Sequence, residues 1–175
     1  MIHQETFSIP GSAAKNIIGD ITYDDKNTKA PLVIFVHGFK GFKDWGAHNL
    51  VAKHFASNGF RYLKFNLSHS GVSSELPNDV TDMEAFAANT FSKEILDVDL
   101  VIKYAIENLN TDYIFLIGHS RGGGLSILQA ANNHYVKALI TWSAISAFDI
   151  LWKKEQEEEW KKEGKIFVVN ARTKE

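Results

Sequence analysis

The stretch Tyr113-Ile114-Phe115-Leu116-Ile117-Gly118-His119-Ser120-Arg121-Gly122 decides how this chain is read. Its first five residues form a continuously apolar run, the pattern of a strand covered on both faces. Arg121–Asn132 predicts a helix directly behind it. Gly118–Gly122 between them matches G-x-S-x-G, a pattern that recurs by chance when it stands alone. Its position at a strand–sharp turn–helix junction gives it weight, because a nucleophile elbow requires that junction. Gly118 and Gly122 remove side chains where the turn brings strand and helix together. The turn then presents the Ser120 hydroxyl at the positive end of the helix, and Gly123 and Gly124 let that helix pack closely.

Short β-branched runs alternate with longer amphipathic stretches through the rest of the chain. Phe7–Ile9 and Ile17–Tyr23 predict an opening antiparallel pair turning near Pro10-Gly11. The second of these alternates apolar and polar residues, as a half-exposed edge strand does. Leu32–Val36 predicts a strand covered on both faces, and Phe60–Asn66 and Ala138–Trp142 predict two more strands. Asp44–Ser57, with Asp44 as cap and Asn58-Gly59 as stop, predicts a helix carrying His48 and His54 on solvated positions. Residues 67–80 predict a loop, Ser92–Asn108 a helix, and Ile166–Val169 a short final strand. Repeated strand–helix units indicate an α/β fold: a mostly parallel sheet between two helical layers. We expect a single domain over residues 1–175.

Composition narrows the function classes. The 175 residues are 45% hydrophobic with a net charge of only -2, and acids and bases are interspersed. A nucleic-acid surface needs a basic face to displace counterions, so no nucleic-acid partner is expected. With no cysteine, thiolate catalysis and cysteine-ligated metals are excluded. No histidine pair has the spacing of a helical zinc site, and neither metal nor cofactor is expected. Apolar runs reach about six residues, against roughly 20 for a membrane span. The N-terminus lacks signal-peptide character, which makes a cytoplasmic location the expectation.

A second chemical feature is Val36-His37-Gly38-Phe39, at the carboxyl end of the earlier covered strand. Acyl transfer passes through an oxyanion, which backbone N–H donors stabilise without reorganising. Arg121, following the serine, offers one such donor. Phe39 offers the other, on a loop that Gly38 allows to approach closely.

Strand-His-Gly-Phe, then the Gly/Ser loop Asn66–Ser73, then strand-Gly-His-Ser-Arg-Gly-Gly resembles the α/β-hydrolase superfamily. The closest likeness is to its small bacterial esterase and serine-peptidase-like branch. Asn66 stands where many relatives have Asp, and Ser68 where they have Arg. The resemblance implies a serine hydrolase in which Ser120 attacks an ester, thioester or small amide, with Phe39 and Arg121 forming the oxyanion hole. Gly118, His119 and Gly122 would complete the nucleophile elbow. The implied partner is a small-molecule acyl substrate, with no cofactor.

The resemblance falls short at the base. Its enzymes place Ser, then Asp or Glu, then His along the chain. Only His134 and Asp149 follow Ser120. His134 lies at the far end of the predicted helix, which at about 1.5 Å per residue puts it roughly 20 Å from the hydroxyl. His119 is adjacent to Ser120 and is expected to pack, His37 to shape the oxyanion loop. His69, in a loop at the correct end of the sheet, is the one in-chain substitute base considered. Asp149 follows the strand after the elbow and is a candidate acid; the competing reading makes it the N-cap of the charged helix that follows. That segment, 149–164, is either a solvated helix with i,i+4 Glu–Lys pairs or the start of a cap. The expectation is that the acid and histidine lie beyond Glu175, that the 175-residue chain alone is inactive, and that it self-associates through an unpaired sheet edge. The alternative is a non-catalytic binding protein of the same fold without a complete triad.

Overall fold

The computed structural model describes residues 1–73, 75–76 and 79–169. The chain forms two compact units, Met1–Ile145 and Ser146–Glu175. The first contains six strands: β1 (Ile2–Pro10), β2 (Asn16–Asp24), β3 (Leu32–Val36), β4 (Arg61–Asn66), β5 (Ile114–His119) and β6 (Val136–Trp142). Four helices join them: α1 (His48–Ser57), α2 (Met83–Ala87), α3 (Phe91–Asn108) and α4 (Arg121–Asn132).

The strands make one sheet in the order β1-β2-β4-β3-β5-β6. β1 and β2 form an antiparallel hairpin, β2 joins β4 antiparallel, and β4, β3, β5 and β6 run parallel. From β3 the chain crosses through α1 to β4 on one side; from β5 it crosses through α4 to β6 on the other. Right-handed crossovers in opposite directions put α1 and α4 on opposite faces. The carboxyl ends of β3 and β5 are therefore a switch point, where such sheets open a crevice between diverging loops.

Strand alternation divides the core. Val33, Phe35, Tyr62 and Ile117 pack with Ala52, Val51 and Phe55 of α1. Leu32, Ile34, Leu63, Phe65 and Leu116 are also fully buried and point the other way, toward the layer of α3 and α4, where Val98, Val101, Ile102, Ala105 and Leu125 are buried. α3 begins at Thr90, whose hydroxyl accepts from the Lys93 N–H at 3.3 Å.

Several expectations need correction. β2 is not an edge strand: it lies between β1 and β4, and its polar positions Asp20 and Thr22 are buried. Alternation suggested solvent, but Asp20 faces Lys64, its register partner on β4, and takes an ion pair from it. Lys43 Nζ donates to the same carboxylate at 2.8 Å, and both lysines pair with Asp44. Asp44 is thus committed to this tetrad and does not cap α1, which starts at His48 with Ala47 at its N-cap. His48 is buried, its ring 4.2 Å from that of Phe35, whereas the expectation placed it in solvent. Among the described residues β6 pairs only with β5, and Ile140 and Trp142 are more than half exposed although the run Ala138–Trp142 is largely apolar.

In the second unit the charged segment forms α5 (Lys154–Glu163), closed by Gly164 at φ 72°. An i,i+4 pair joins Lys161 Nζ to Glu157 at 2.6 Å, and Trp152 meets Trp160 edge-on at 5.6 Å. Asp149 opens a short 3-10 turn (Asp149–Leu151) and does not cap α5; there the Lys153 N–H donates to Gln156 Oε1 at 3.1 Å. The expected strand at Ile166–Val169 does not form; residues 165–169 have no regular structure.

The buried tetrad yields a stability prediction. Lys64→Met leaves two carboxylates sharing one lysine and should cost about 3–5 kcal/mol, since breaking a buried ion pair strands a charge. Adding Asp20→Leu should recover much of that loss by leaving Lys43 paired with Asp44. Urea unfolding of the single and double variants checks both; a single variant within about 1 kcal/mol of wild type would refute the account.

Candidate active site

Ser120 sits between β5 and α4 with φ 54° and ψ -121°. This backbone region is closed to most side chains and is held only where the surroundings over-determine it. Here they do. The Ser120 N–H donates to the Trp142 carbonyl at 2.9 Å, while its own carbonyl accepts from Gly123 at 3.0 Å and Ile145 at 3.2 Å. The Ser120 side chain makes no capping bond to α4, so its hydroxyl is not spent on the helix.

The approach of α4 to β3 explains the glycines. A Cβ on Gly122 would lie 2.3 Å from the carbonyl oxygens of both Val36 and His37, and one on Gly118 would meet the Gly122 carbonyl at 2.5 Å. Gly38 lies against the serine itself, since a Cβ there would come within 2.9 Å of the Ser120 Cβ. The turn carrying Phe39 is thus in van der Waals contact with the elbow. It closes through the Gly41 N–H on the Gly38 carbonyl at 3.0 Å, with Lys40 at φ 57°.

That turn is clamped on both sides. His37 Nδ1 lies 2.9 Å from the Gly38 carbonyl and its Nε2 accepts the Leu67 N–H at 3.2 Å, which fixes the tautomer with the proton on Nδ1. Downstream, the Lys43 N–H donates to Asn66 Oδ1 at 2.7 Å, beside the Lys43–Asp20–Lys64–Asp44 tetrad. Asn66 thus supplies an acceptor where its relatives' Asp was expected.

Arg121, the first residue of α4, has an N–H with no acceptor inside the helix. Its side chain is buried against Glu94, and its guanidinium lies 4.5 Å from the centroid of the Phe39 ring. Phe39 stacks on Phe86 at 5.7 Å. Sequence reasoning missed the role of α2, which is only five residues long. Asp82, which caps it by accepting from the Ala85 N–H, was the available signal.

Each of the seven histidines is engaged away from Ser120. His119 packs its ring 5.2 Å from Trp142, and His48 packs on Phe35. His69 Nδ1 lies 2.8 Å from Ser68 Oγ, in a loop that Asp97 holds through the Ser12 and Ser68 N–H groups. His134 stacks on Tyr135, His54 lies edge-on to Phe55, and His3 faces Asp25.

A family model described as the alpha/beta hydrolase fold matches residues 31–172. The chain belongs to this family. Among solved structures it is similar to DcsB in complex with a substrate analogue, at 20% identity and TM-score 0.72 over 92% of this chain and 50% of that one. It is also similar to Est1E from Butyrivibrio proteoclasticus with ferulic acid bound, at 22% identity and TM-score 0.60, covering 76% and 50%. A dienelactone hydrolase from Anabaena variabilis matches at 16% identity and TM-score 0.65, covering 82% and 64%. The chain therefore spans half the length of the first two. No curated protein sequence matches it. Among the described residues, no helix is long and apolar enough to cross a membrane.

The buried rings set a pH dependence. Burial lowers both His37 and His48 to about 4, with His119 and Lys64 adding to the effect at His48. Unfolded histidine titrates near 6.5, so between these values the unfolded chain binds more protons and stability falls as pH drops. Glu94, which burial raises above its usual range, acts in the opposite sense there. The urea midpoint should fall steadily between about pH 6.5 and pH 4, and His48→Gln should flatten that slope. A slope unchanged in the variant would remove His48 from the account.

Proposed function

We propose that this chain carries the nucleophile half of a serine hydrolase acting on an ester, thioester or small amide. The observation that carries the reading is the backbone of Ser120: a non-glycine residue at φ 54°, ψ -121° at the switch point. Such strain costs about 1–3 kcal/mol and is retained where function needs it. In the proposed reaction Ser120 Oγ attacks the substrate carbonyl and its proton passes to a histidine base. The N–H groups of Phe39 and Arg121 hold the oxyanion; its collapse expels the alcohol, thiol or amine and leaves an acyl-serine. Water attacks that ester and restores the hydroxyl. Gly118, His119 and Gly122 form the elbow, and neither metal nor cofactor takes part.

Three things support the reading: the family, the dienelactone hydrolase among the similar folds, and the closeness of Gly38 to Ser120. The histidines described above all have other partners, so the proposed base comes from outside them. The same engagement favours the second reading, a binding protein of this fold without a working triad.

Labelling by a fluorophosphonate separates the two. The expected result is one adduct, located at Ser120 by peptide mass spectrometry and absent in Ser120→Ala. Absence of any adduct in the whole protein would leave the binding reading. A second expectation follows from the strained backbone. Ser120→Gly should abolish labelling yet raise stability by about 1 kcal/mol, because glycine adopts this conformation without a Cβ clash. A less stable glycine variant would show that the backbone there is not strained.

A further inference from the structure

Arg121 does more than open α4. Its guanidinium is almost fully buried, and the ion pair to the equally buried Glu94 of α3 fixes it there. Asn89 Nδ2 donates to the same Glu94 oxygen at 2.6 Å, which anchors the carboxylate. Held this way, the guanidinium carbon lies 4.5 Å from the Phe39 ring centroid and 5.8 Å from that of Phe91. The Phe39 ring also stacks on Phe86 of α2, 5.7 Å away and 18° from parallel. Phe39 therefore contacts both a cation and an aromatic ring, and both come from the 82–94 region or from a residue tied to it.

We propose that Arg121 is a positioning residue for the oxyanion site: its Glu94-fixed guanidinium clamps Phe39 against Phe86 and so sets the spacing of the two N–H donors. The inference rests on the serine-hydrolase reading. One residue supplies the second donor with its backbone and fixes the first with its side chain. An ammonium could pair with Glu94 but has no planar face to lay on the ring, so lysine is no equivalent here. The turn being held is itself strained, with Lys40 at positive φ, and gains from external support. The clamp also couples α2 and the start of α3 to the site, so whatever displaces Phe86 loosens the Phe39 turn.

The test uses Arg121→Lys and Phe86→Leu in the full chain. Phe86→Leu is the milder change, because it removes the stacked ring and leaves the ion pair intact. The first readout is hydrogen exchange at the Gly41 amide, whose bond to the Gly38 carbonyl closes the turn. Exchange should speed up at least about tenfold in both variants while the β1–β2 amides stay unchanged. An unchanged Gly41 rate in Phe86→Leu and in folded Arg121→Lys would overturn the proposal. The second readout is fluorophosphonate labelling of Ser120. The maximal rate should drop roughly ten- to hundredfold with half-saturation little altered, as expected when transition-state donors are misplaced. A labelling rate equal to wild type in both variants would also overturn it. If wild type itself does not label, the serine-hydrolase reading fails, and the exchange experiment still decides whether Arg121 and Phe86 hold the turn.

Discussion

The approach of the α4 N-terminus to the end of β3 is the constraint on which the site depends. With a Gly122 Cβ position 2.3 Å from two carbonyl oxygens, no other residue fits without moving α4 or β3. That contact forces the chain to leave β5 through a turn too tight for ordinary backbone angles, and Ser120 absorbs the strain. It also presses the His37–Phe39 turn against the serine, since the oxygens that Gly122 nearly touches begin that turn. Strained serine, near-touching loop and helix N-terminus are three results of one packing decision.

A polar framework then holds what the packing brings together. His37, kept neutral by burial, ties Gly38 to Leu67, and the Lys43–Asp20–Lys64–Asp44 tetrad ties the following loop to β2 and β4. Asp97 does the same for the Ser68 loop and the β1–β2 turn. Burying such charges is not an efficient source of stability compared with apolar packing. Their concentration around loops at the carboxyl ends of the strands fits a different purpose. Directional bonds fix loop position where a greasy contact would let it slide.

The central strands and the elbow were legible because each carries a local signal that burial on both faces makes unambiguous. Leu32–Val36 is one uninterrupted apolar run, and α4 starts and stops where its sequence says, Arg121 to Asn132. The misreadings share one cause. Asp20, Asp44 and His48 are polar residues whose partners lie far along the chain or in another element, so a pattern of polarity reads them as solvated or capping. β2 looked like an edge for that reason. The apolar run of β6 does not say what covers it: among the described residues only β5 pairs with it, and Ile140 and Trp142 are exposed. The Glu94–Arg121–Phe39–Phe86 contact was invisible for the same reason as the tetrad: it joins three helices and a loop.

The proton acceptor that the proposed reaction requires is constrained by the same geometry. Ser120 and the two N–H donors need only the ends of β3 and β5 and the start of α4, all inside the first unit. A histidine acting on the hydroxyl in the proposed reaction must arrive from an element that this packing leaves free, since His37, His48 and His69 are buried with partners of their own. His37 and His48 could not take up a proton near neutral pH without losing the burial that lowers them to about 4. Their protonation would loosen the Phe39 turn and the α1 face together, so these two rings act as neutral structural material. In the proposed reaction, the serine and the Phe39 turn can therefore be tested apart from the proton acceptor, because their positions rest on the packing of β3, β5 and α4 alone.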